Sequence, residues 1–300
     1  MTTQYHNPVL LEDALQGLDI RPEGIYVDVT FGGGGHSRAL LDQLNEQGRL
    51  FAFDQDQDAH ENRIEDSRFQ LVAANFSHLS HYLKYHGISS VNGILADFGV
   101  SSHQFDQASR GFSTRKEGRL DMRMNQSQAL DAQEVLNQYS EEALSELFFN
   151  YGELRNARKL ANKIVSFRSE DKLETTSDLI RAVQPWVPQR IENKVLAQIF
   201  QAVRIEVNDE LGVLKSFLEQ AAAVLEPGGR LVCISYHSLE DRLVKRFIQS
   251  GNFEGREEKD FYGNSLSVLR KVGKLRVPSA HEVQHNSRAR SAKLRIAEKR

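Results

Sequence analysis

Gly24-Ile25-Tyr26-Val27-Asp28-Val29-Thr30-Phe31-Gly32-Gly33-Gly34-Gly35-His36-Ser37-Arg38-Ala39-Leu40-Leu41-Asp42-Gln43-Leu44 reads as strand, glycine turn and helix in direct succession. The first seven residues are β-rich, the glycines break the pattern, and the residues from Ser37 onward follow a helical one. A ligand lying against such a turn requires residues without a Cβ, and the helix N-terminus offers it unpaired N–H groups.

The alternation continues outward from this unit. Arg49-Leu50-Phe51-Ala52-Phe53 forms a second strand ending at Asp54. A polar helical segment, a strand around 69–73, a helix around 78–85 and a fourth strand over 93–96 follow. Strands and helices in alternation predict an α/β fold, a doubly wound, mostly parallel sheet with helices on both faces. After Asp97-Phe98-Gly99-Val100-Ser101-Ser102 the rhythm stops, and residues 105–202 show helical patterns and polar loops but no strand. The expected organisation is therefore a main domain of residues 1–104 and 203–300 with an inserted helical domain at 105–202. Near the end, Leu211, Leu214, Phe217, Leu218, Ala221, Val224 and Leu225 mark one face of a long helix. Pro227-Gly228-Gly229 is expected to end that helix before a strand over 230–235. A helix over 239–248 and β-like runs at 267–272 and 293–297 would close the sheet.

Composition sets limits on function. With 40% hydrophobic and 26% charged residues in 300, the chain can bury a core and is not of the disordered class. No run approaches the ~18 apolar residues of a membrane span, and Met1-Thr2-Thr3-Gln4-Tyr5-His6 has no signal-peptide pattern, so a cytoplasmic protein without a membrane partner is expected. The single cysteine, Cys233, excludes an intrachain disulfide and reads as a buried small hydrophobe within Leu231-Val232-Cys233-Ile234. No residue set is read as a metal site. The formal net charge of −3 argues against a nucleic-acid partner, but local charge argues for one. Arg155, Arg158, Lys159, Lys163 and Arg168 form an acid-free run, and Arg288, Arg290, Lys293, Arg295, Lys299 and Arg300 form another with Glu298 as its one acid. Arg110, Arg115, Lys116, Arg119 and Arg123 add to them. Solvated basic faces and an RNA surface both account for such runs.

Three places carry candidate chemistry. Asp54 lies 19 residues after Gly35, where a carboxylate can accept hydrogen bonds from both hydroxyls of a ribose. A dinucleotide site competes with an S-adenosyl-L-methionine site here, although Gly32-x-Gly34-x-x-Ser37 puts serine where the dinucleotide fingerprint places its third small residue. A P-loop is excluded, since no Gly-Lys-Ser or Gly-Lys-Thr follows the glycines. Asp97 closes the fourth strand and points to the ligand crevice, with Gln104 following in the next loop. Ser235-Tyr236-His237-Ser238-Leu239-Glu240-Asp241-Arg242 ends the fifth strand. Ser238 reads there as the N-cap of the next helix with Asp241 at its third position, and His237 as either an acceptor-site contact or a structural histidine.

In order along the chain, Thr30-Phe31-Gly32-Gly33-Gly34-Gly35-His36-Ser37, Asp97-Phe98-Gly99-Val100-Ser101-Ser102, Arg110-Gly111-Phe112-Ser113, Leu120-Asp121-Met122-Arg123-Met124, Phe200-Gln201-Ala202-Val203-Arg204-Ile205, Val207-Asn208-Asp209-Glu210-Leu211, His237-Ser238-Leu239-Glu240-Asp241-Arg242 and Arg288-Ala289-Arg290-Ser291 resemble the motifs of the ribosomal RNA small subunit methyltransferase H family, the 16S rRNA cytosine-N4 methyltransferases. The resemblance runs from about His6 to Arg300. It implies a class I AdoMet-dependent methyltransferase, a Rossmann-like doubly wound sheet with an inserted helical domain that recognises RNA. The implied substrate is 16S ribosomal RNA or the small ribosomal subunit, and a homodimer is one assembly it allows. By motif position, the implied cofactor contacts are Gly34, Gly35, His36, Asp54, Phe76, Asp97 and Gln104, and the catalytic candidates are Asp97 first and His237 second. Departures from the family pattern fall at Val29, where a small residue is common, at Ala96-Asp97-Phe98 in place of Leu-Asp-Leu, and at His103 in place of a proline.

Overall fold

The computed structural model describes residues 8–263 and 265–300 and divides into two compact units. One comprises the chain up to Gly99 together with Leu211–Arg300, and the other comprises Val100–Glu210. Gln104 and the segment Val203–Glu210 thus fall within the helical unit.

The first unit is built on seven strands: β1 (Ile25–Asp28), β2 (Arg49–Phe53), β3 (Phe69–Val72), β4 (Val91–Asp97), β5 (Leu225–Ser235), β6 (Leu269–Arg276) and β7 (Lys293–Lys299). Their order across the sheet is β3-β2-β1-β4-β5-β7-β6. The first five strands are parallel, and β7 runs antiparallel to both β5 and β6. Helices on both faces explain why the central strands are apolar runs rather than alternating ones: Val27, Ile94, Leu95, Leu231 and Val232 are all fully buried. Cys233 is buried among them.

Sheet order fixes where a ligand can enter. The chain moves outward from β1 to β2 and β3, then returns to place β4 on the opposite side of β1, so β1 and β4 flank the topological switch point. Asp28 ends β1 and Asp97 ends β4, and both therefore lie at the carboxyl edge where the crevice opens.

The start of β5 differs from the sequence expectation. The long helix, Glu210–Val224, is followed at once by the strand, and Pro227-Gly228-Gly229 lies inside it. Val91 pairs with Leu225 but Gly93 pairs with Arg230, so residues 226–229 form a bulge. Gly228 there adopts φ +83°, a conformation that strains other residues. The helix 238–250 is anchored to β7 by Asp241, which accepts from Arg295 Nε at 2.6 Å and Lys293 Nζ at 3.2 Å.

In the second unit, the helices Ala132–Gln138, Glu141–Asn150, Ala157–Arg168, Thr176–Val183 and Glu192–Asn208 enclose a core of their own, including Leu136, Leu144, Phe148, Leu160, Ile164, Leu179, Ile199 and Val203. Among the described residues of this unit, β pairing is limited to an isolated bridge between Arg119 and Thr175. Buried Asn208 ties a loop to the last helix: its Oδ1 accepts from Met124 N at 2.7 Å, and its Nδ2 donates to Met122 O at 2.8 Å and Arg204 O at 2.9 Å. Replacing it orphans a buried N–H and a carbonyl at once, at about 1–3 kcal/mol per group. Asn208→Leu is expected to lower unfolding stability by about 3 kcal/mol in denaturant titration.

Candidate active site

The site is organised from Asp28 outward. This carboxylate is 1% exposed and accepts from Thr30 N at 3.1 Å, from Thr30 Oγ1 at 3.4 Å and from Ser37 Oγ at 2.7 Å. Thr30 Oγ1 in turn accepts from Asp97 N at 2.7 Å. One side chain thus fixes both ends of the glycine turn, and through Thr30 it sets the position of Asp97. Sequence reasoning passed over Asp28; a carboxylate ending a buried strand directly before a glycine run was the available signal.

The glycines serve the protein before any ligand. Gly34 has φ +74°, and a Cβ there would come within 2.9 Å of the Phe31 ring. A Cβ on Gly35 would lie 2.4 Å from Pro8 Cγ. Free approach of a ligand is therefore not the sole reason for them. His36 follows, 6% exposed, with Nε2 3.1 Å from Val9 O and Nδ1 3.9 Å from Asp97 Oδ2.

Asp54 stands just beyond β2. Its Oδ2 accepts from Gly32 N and its Oδ1 from Asp56 N, each at 2.8 Å. Asp97 Oδ1 accepts from the Tyr236 hydroxyl at 2.8 Å. Burial raises the Asp54 carboxyl to about 6, against the pull of the Asp56 and Gly32 N–H groups. Burial likewise raises Asp97 to about 6, opposed by His36 and by the Tyr236 hydrogen bond. Burial, and then the Asp97 charge, push the Tyr236 hydroxyl well above its ordinary value, so it remains a donor. Tyr236 is a further residue that the sequence did not reveal, since its partner lies 139 positions away.

Phe76 begins a short helical turn after β3, and its ring packs on Phe98 at 6.2 Å and Phe217 at 5.4 Å. At the end of β5, the helix cap is one residue earlier than expected. His237, not Ser238, is the N-cap: its Nδ1 accepts from Glu240 N at 3.4 Å, while Glu240 Oε2 accepts from Tyr236 N at 2.9 Å and His237 N at 3.3 Å. Glu240 reaches back over the turn, whereas Asp241 is drawn away by Arg295 and Lys293. Ser235 Oγ and His237 Nε2 are buried without an aligned hydrogen-bond partner among the described residues, although Glu240 Oε1 lies 3.0 Å from the nitrogen. Gln104 belongs to the helical unit, where its Oε1 accepts from Ser101 N at 3.0 Å and its own N–H donates to Ser101 Oγ at 3.2 Å.

Many of the basic residues turn out to be structural. Arg110 is 1% exposed and donates to the carbonyls of Arg123 and Met124. Arg123 pairs with Asp121, Arg119 with Asp131 and Lys116 with Asp106. Arg168 donates to Leu136 O and Tyr139 O, and Lys293 and Arg295 hold Asp241. Arg155, Arg158, Lys159 and Lys163 have no carboxylate within ion-pair distance among the described residues.

Asp54 and Asp97 likewise lack a lysine or arginine partner among the described residues. Two uncompensated carboxylates and an orphaned hydroxyl at one sheet edge suit a ligand that brings hydroxyl donors and positive charge, as a nucleoside sulfonium does. Five parallel strands, with the single reversed strand β7 inserted between β5 and β6, place the chain among the class I AdoMet-dependent methyltransferases. Its cofactor is S-adenosyl-L-methionine. The chain belongs to the MraW methylase family, whose model matches residues 3–300. Ribosomal RNA small subunit methyltransferase H of Christiangramia forsetii is 58% identical over 99% of this chain and 98% of its own. The proteins of the same name from Flavobacterium johnsoniae and Parabacteroides distasonis are 57% and 54% identical, covering 99% and 98% of this chain and 99% and 97% of theirs. Among solved structures, an rRNA methylase from Streptococcus thermophilus has a TM-score of 0.43 at 13% identity, with 99% of each chain covered.

Cofactor affinity should depend on pH. Asp54 and Asp97 take up protons below about 6 and then lose part of their acceptor capacity and their attraction for a cation. Calorimetric titration is expected to show AdoMet binding weakening from pH 7 to pH 5. The Tyr236 hydrogen bond favours ionised Asp97, so Tyr236→Phe should move the midpoint upward; an unchanged midpoint would remove Tyr236 from the site.

Proposed function

We propose that this methyltransferase transfers the methyl group of S-adenosyl-L-methionine to the N4 amine of a cytosine in the decoding region of 16S ribosomal RNA, in the cytoplasm. The observation that carries the reading is Asp97 at the switch point: its carboxylate accepts from Tyr236, its backbone N–H is held by Thr30, and among the described residues it has no lysine or arginine partner. Relatives named ribosomal RNA small subunit methyltransferase H, matching nearly the whole chain, support the RNA substrate.

When bound, the cofactor supplies a methyl carbon on a positively charged sulfur. Asp54 would accept the ribose hydroxyls, Gly34, Gly35 and His36 would line its path, and Phe76 would offer an apolar wall. Motif position adds Gln104 to this set. The N4 amine is a weak nucleophile because its lone pair is delocalised into the ring. Asp97, accepting a hydrogen bond from that amine, would draw the nitrogen towards a localised lone pair and hold it in line, where alignment supplies much of the rate. His237 is the second catalytic candidate; because its Nδ1 accepts from Glu240 N, its Nε2 carries the ring proton and would meet the base as a donor. A cytosine stacked in a helix is out of reach, so the base must be unpaired or turned outward. Residues 105–202 would supply RNA recognition.

Incubating the protein with methyl-labelled AdoMet and small ribosomal subunits that lack decoding-region methylation, followed by nucleoside analysis, tests the reading. Labelled N4-methylcytidine is the expected product, and label on another nucleoside or on protein overturns the acceptor. Asp97→Ala is expected to slow single-turnover transfer at saturating cofactor by about 100-fold or more. Near-normal rates would exclude Asp97 from the chemistry.

A further inference from the structure

On the helical unit, two lysine ammonium groups converge on one exposed indole. Lys159 and Lys163 lie one turn apart on the helix Ala157–Arg168, with their Nζ atoms 5.3 Å and 4.0 Å from the centroid of the Trp186 ring. Trp186 ends a short helical turn, Gln184–Trp186, and remains 42% exposed. Val187 next to it is buried and Pro188 follows, so the indole is carried on a short, anchored turn. Neither lysine has a carboxylate within ion-pair distance among the described residues, and Arg155 and Arg158 extend the same run of unspent charge.

This arrangement costs the free protein something. Like charges set around one ring repel each other, and the ring quadrupole offsets only part of that repulsion. An anion placed between the ammonium groups would relieve it. A large aromatic surface left in water gains when another flat ring covers it. Single-stranded nucleic acid offers both, with a phosphate for every base. Aromatic side chains that stack bases beside cations that track the backbone are the general design of single-strand binding surfaces.

We propose that Trp186, Lys159 and Lys163 form a docking platform for an unpaired RNA segment, with a base stacked on the indole and its phosphate held between the two ammonium groups. The inference rests on the RNA substrate reading above and assigns part of that recognition to named side chains outside the candidate active site. Arg110, Lys116, Arg119 and Arg123 and much of the C-terminal basic run cannot serve equally, because their charges are engaged within the fold. Duplex RNA presents no free base face, so the platform should discriminate against it.

Trp186 is the only tryptophan in the chain, so its emission reports this site without a label. Titration of the full-length protein with a single-stranded oligoribonucleotide is expected to quench that emission saturably, with affinity falling as salt rises. In anisotropy measurements with the fluorescein-labelled oligonucleotide, Trp186→Ala and the double variant Lys159→Gln, Lys163→Gln should each weaken binding about tenfold. Trp186→Phe should restore most of the loss to Trp186→Ala, and all variants should bind AdoMet as the parent does. Unchanged tryptophan emission while the labelled RNA saturates would overturn the proposal, as would equal affinity for duplex RNA or undiminished binding by Trp186→Ala. Quenching by intact subunits but not by RNA would assign the surface to a protein partner instead. Methyl transfer to subunits by the parent, assayed in parallel, separates the two readings: transfer to RNA with a silent tryptophan sinks the platform alone, whereas transfer to protein sinks the RNA substrate.

Discussion

The candidate active site depends on one buried carboxylate. Asp28 is nearly inaccessible, and a charge in that position is tolerated only when hydrogen-bond donors surround it. The donors it gathers are Thr30 and Ser37, the residues on either side of the glycine turn. Because the Thr30 hydroxyl also receives the Asp97 backbone N–H, the solvation of Asp28 determines where β4 ends relative to β1. The crevice that sheet order creates at the switch point thus acquires a defined width and a defined acceptor.

Charge is divided by task across the molecule. Most arginines and lysines named from the sequence are used to hold loops and helices, where they satisfy carbonyls and carboxylates that would otherwise be buried unpaired. The two carboxylates at the crevice have no lysine or arginine partner among the described residues, so nothing of that kind offsets the burial that raises their proton affinity. A group kept uncompensated in the free protein is poised to interact strongly with a positively charged ligand, since little must be broken first. The unpaired cations of the helical unit follow the same logic with the opposite sign. A formal net charge of −3 is therefore compatible with an RNA substrate, because net charge counts cations already consumed by the fold.

The helical unit can sit between β4 and the long helix preceding β5 without disturbing the sheet, because it brings its own core. Its polar ties, above all Asn208 and the Arg123–Asp121 pair, organise loops that lack regular hydrogen bonding.

Hydrophobic periodicity and glycine punctuation by themselves determined the parallel order of the first strands and the positions of Asp54 and Asp97 at or just beyond strand ends, because these depend on residues near one another in the chain. Motif order extended this to the cofactor and the family. Tertiary structure alone decided the rest. Tyr236 reaches Asp97 across 139 positions, and no local pattern records such a pairing. The position of Asp28 at a strand end ahead of the glycines was legible, but that Thr30 and Ser37 both donate to it emerged only with the fold. Which basic residues remain free is settled by burial and by partners distant in sequence, as the loss of Arg110 to the interior and the freedom of Lys159 and Lys163 show. The helix cap moved from Ser238 to His237 because Arg295 and Lys293, on a strand more than fifty residues later, claimed Asp241 and left Glu240 to close the turn. A sequence specifies which groups are available, whereas their electrostatic roles depend on the neighbours that only the folded chain supplies.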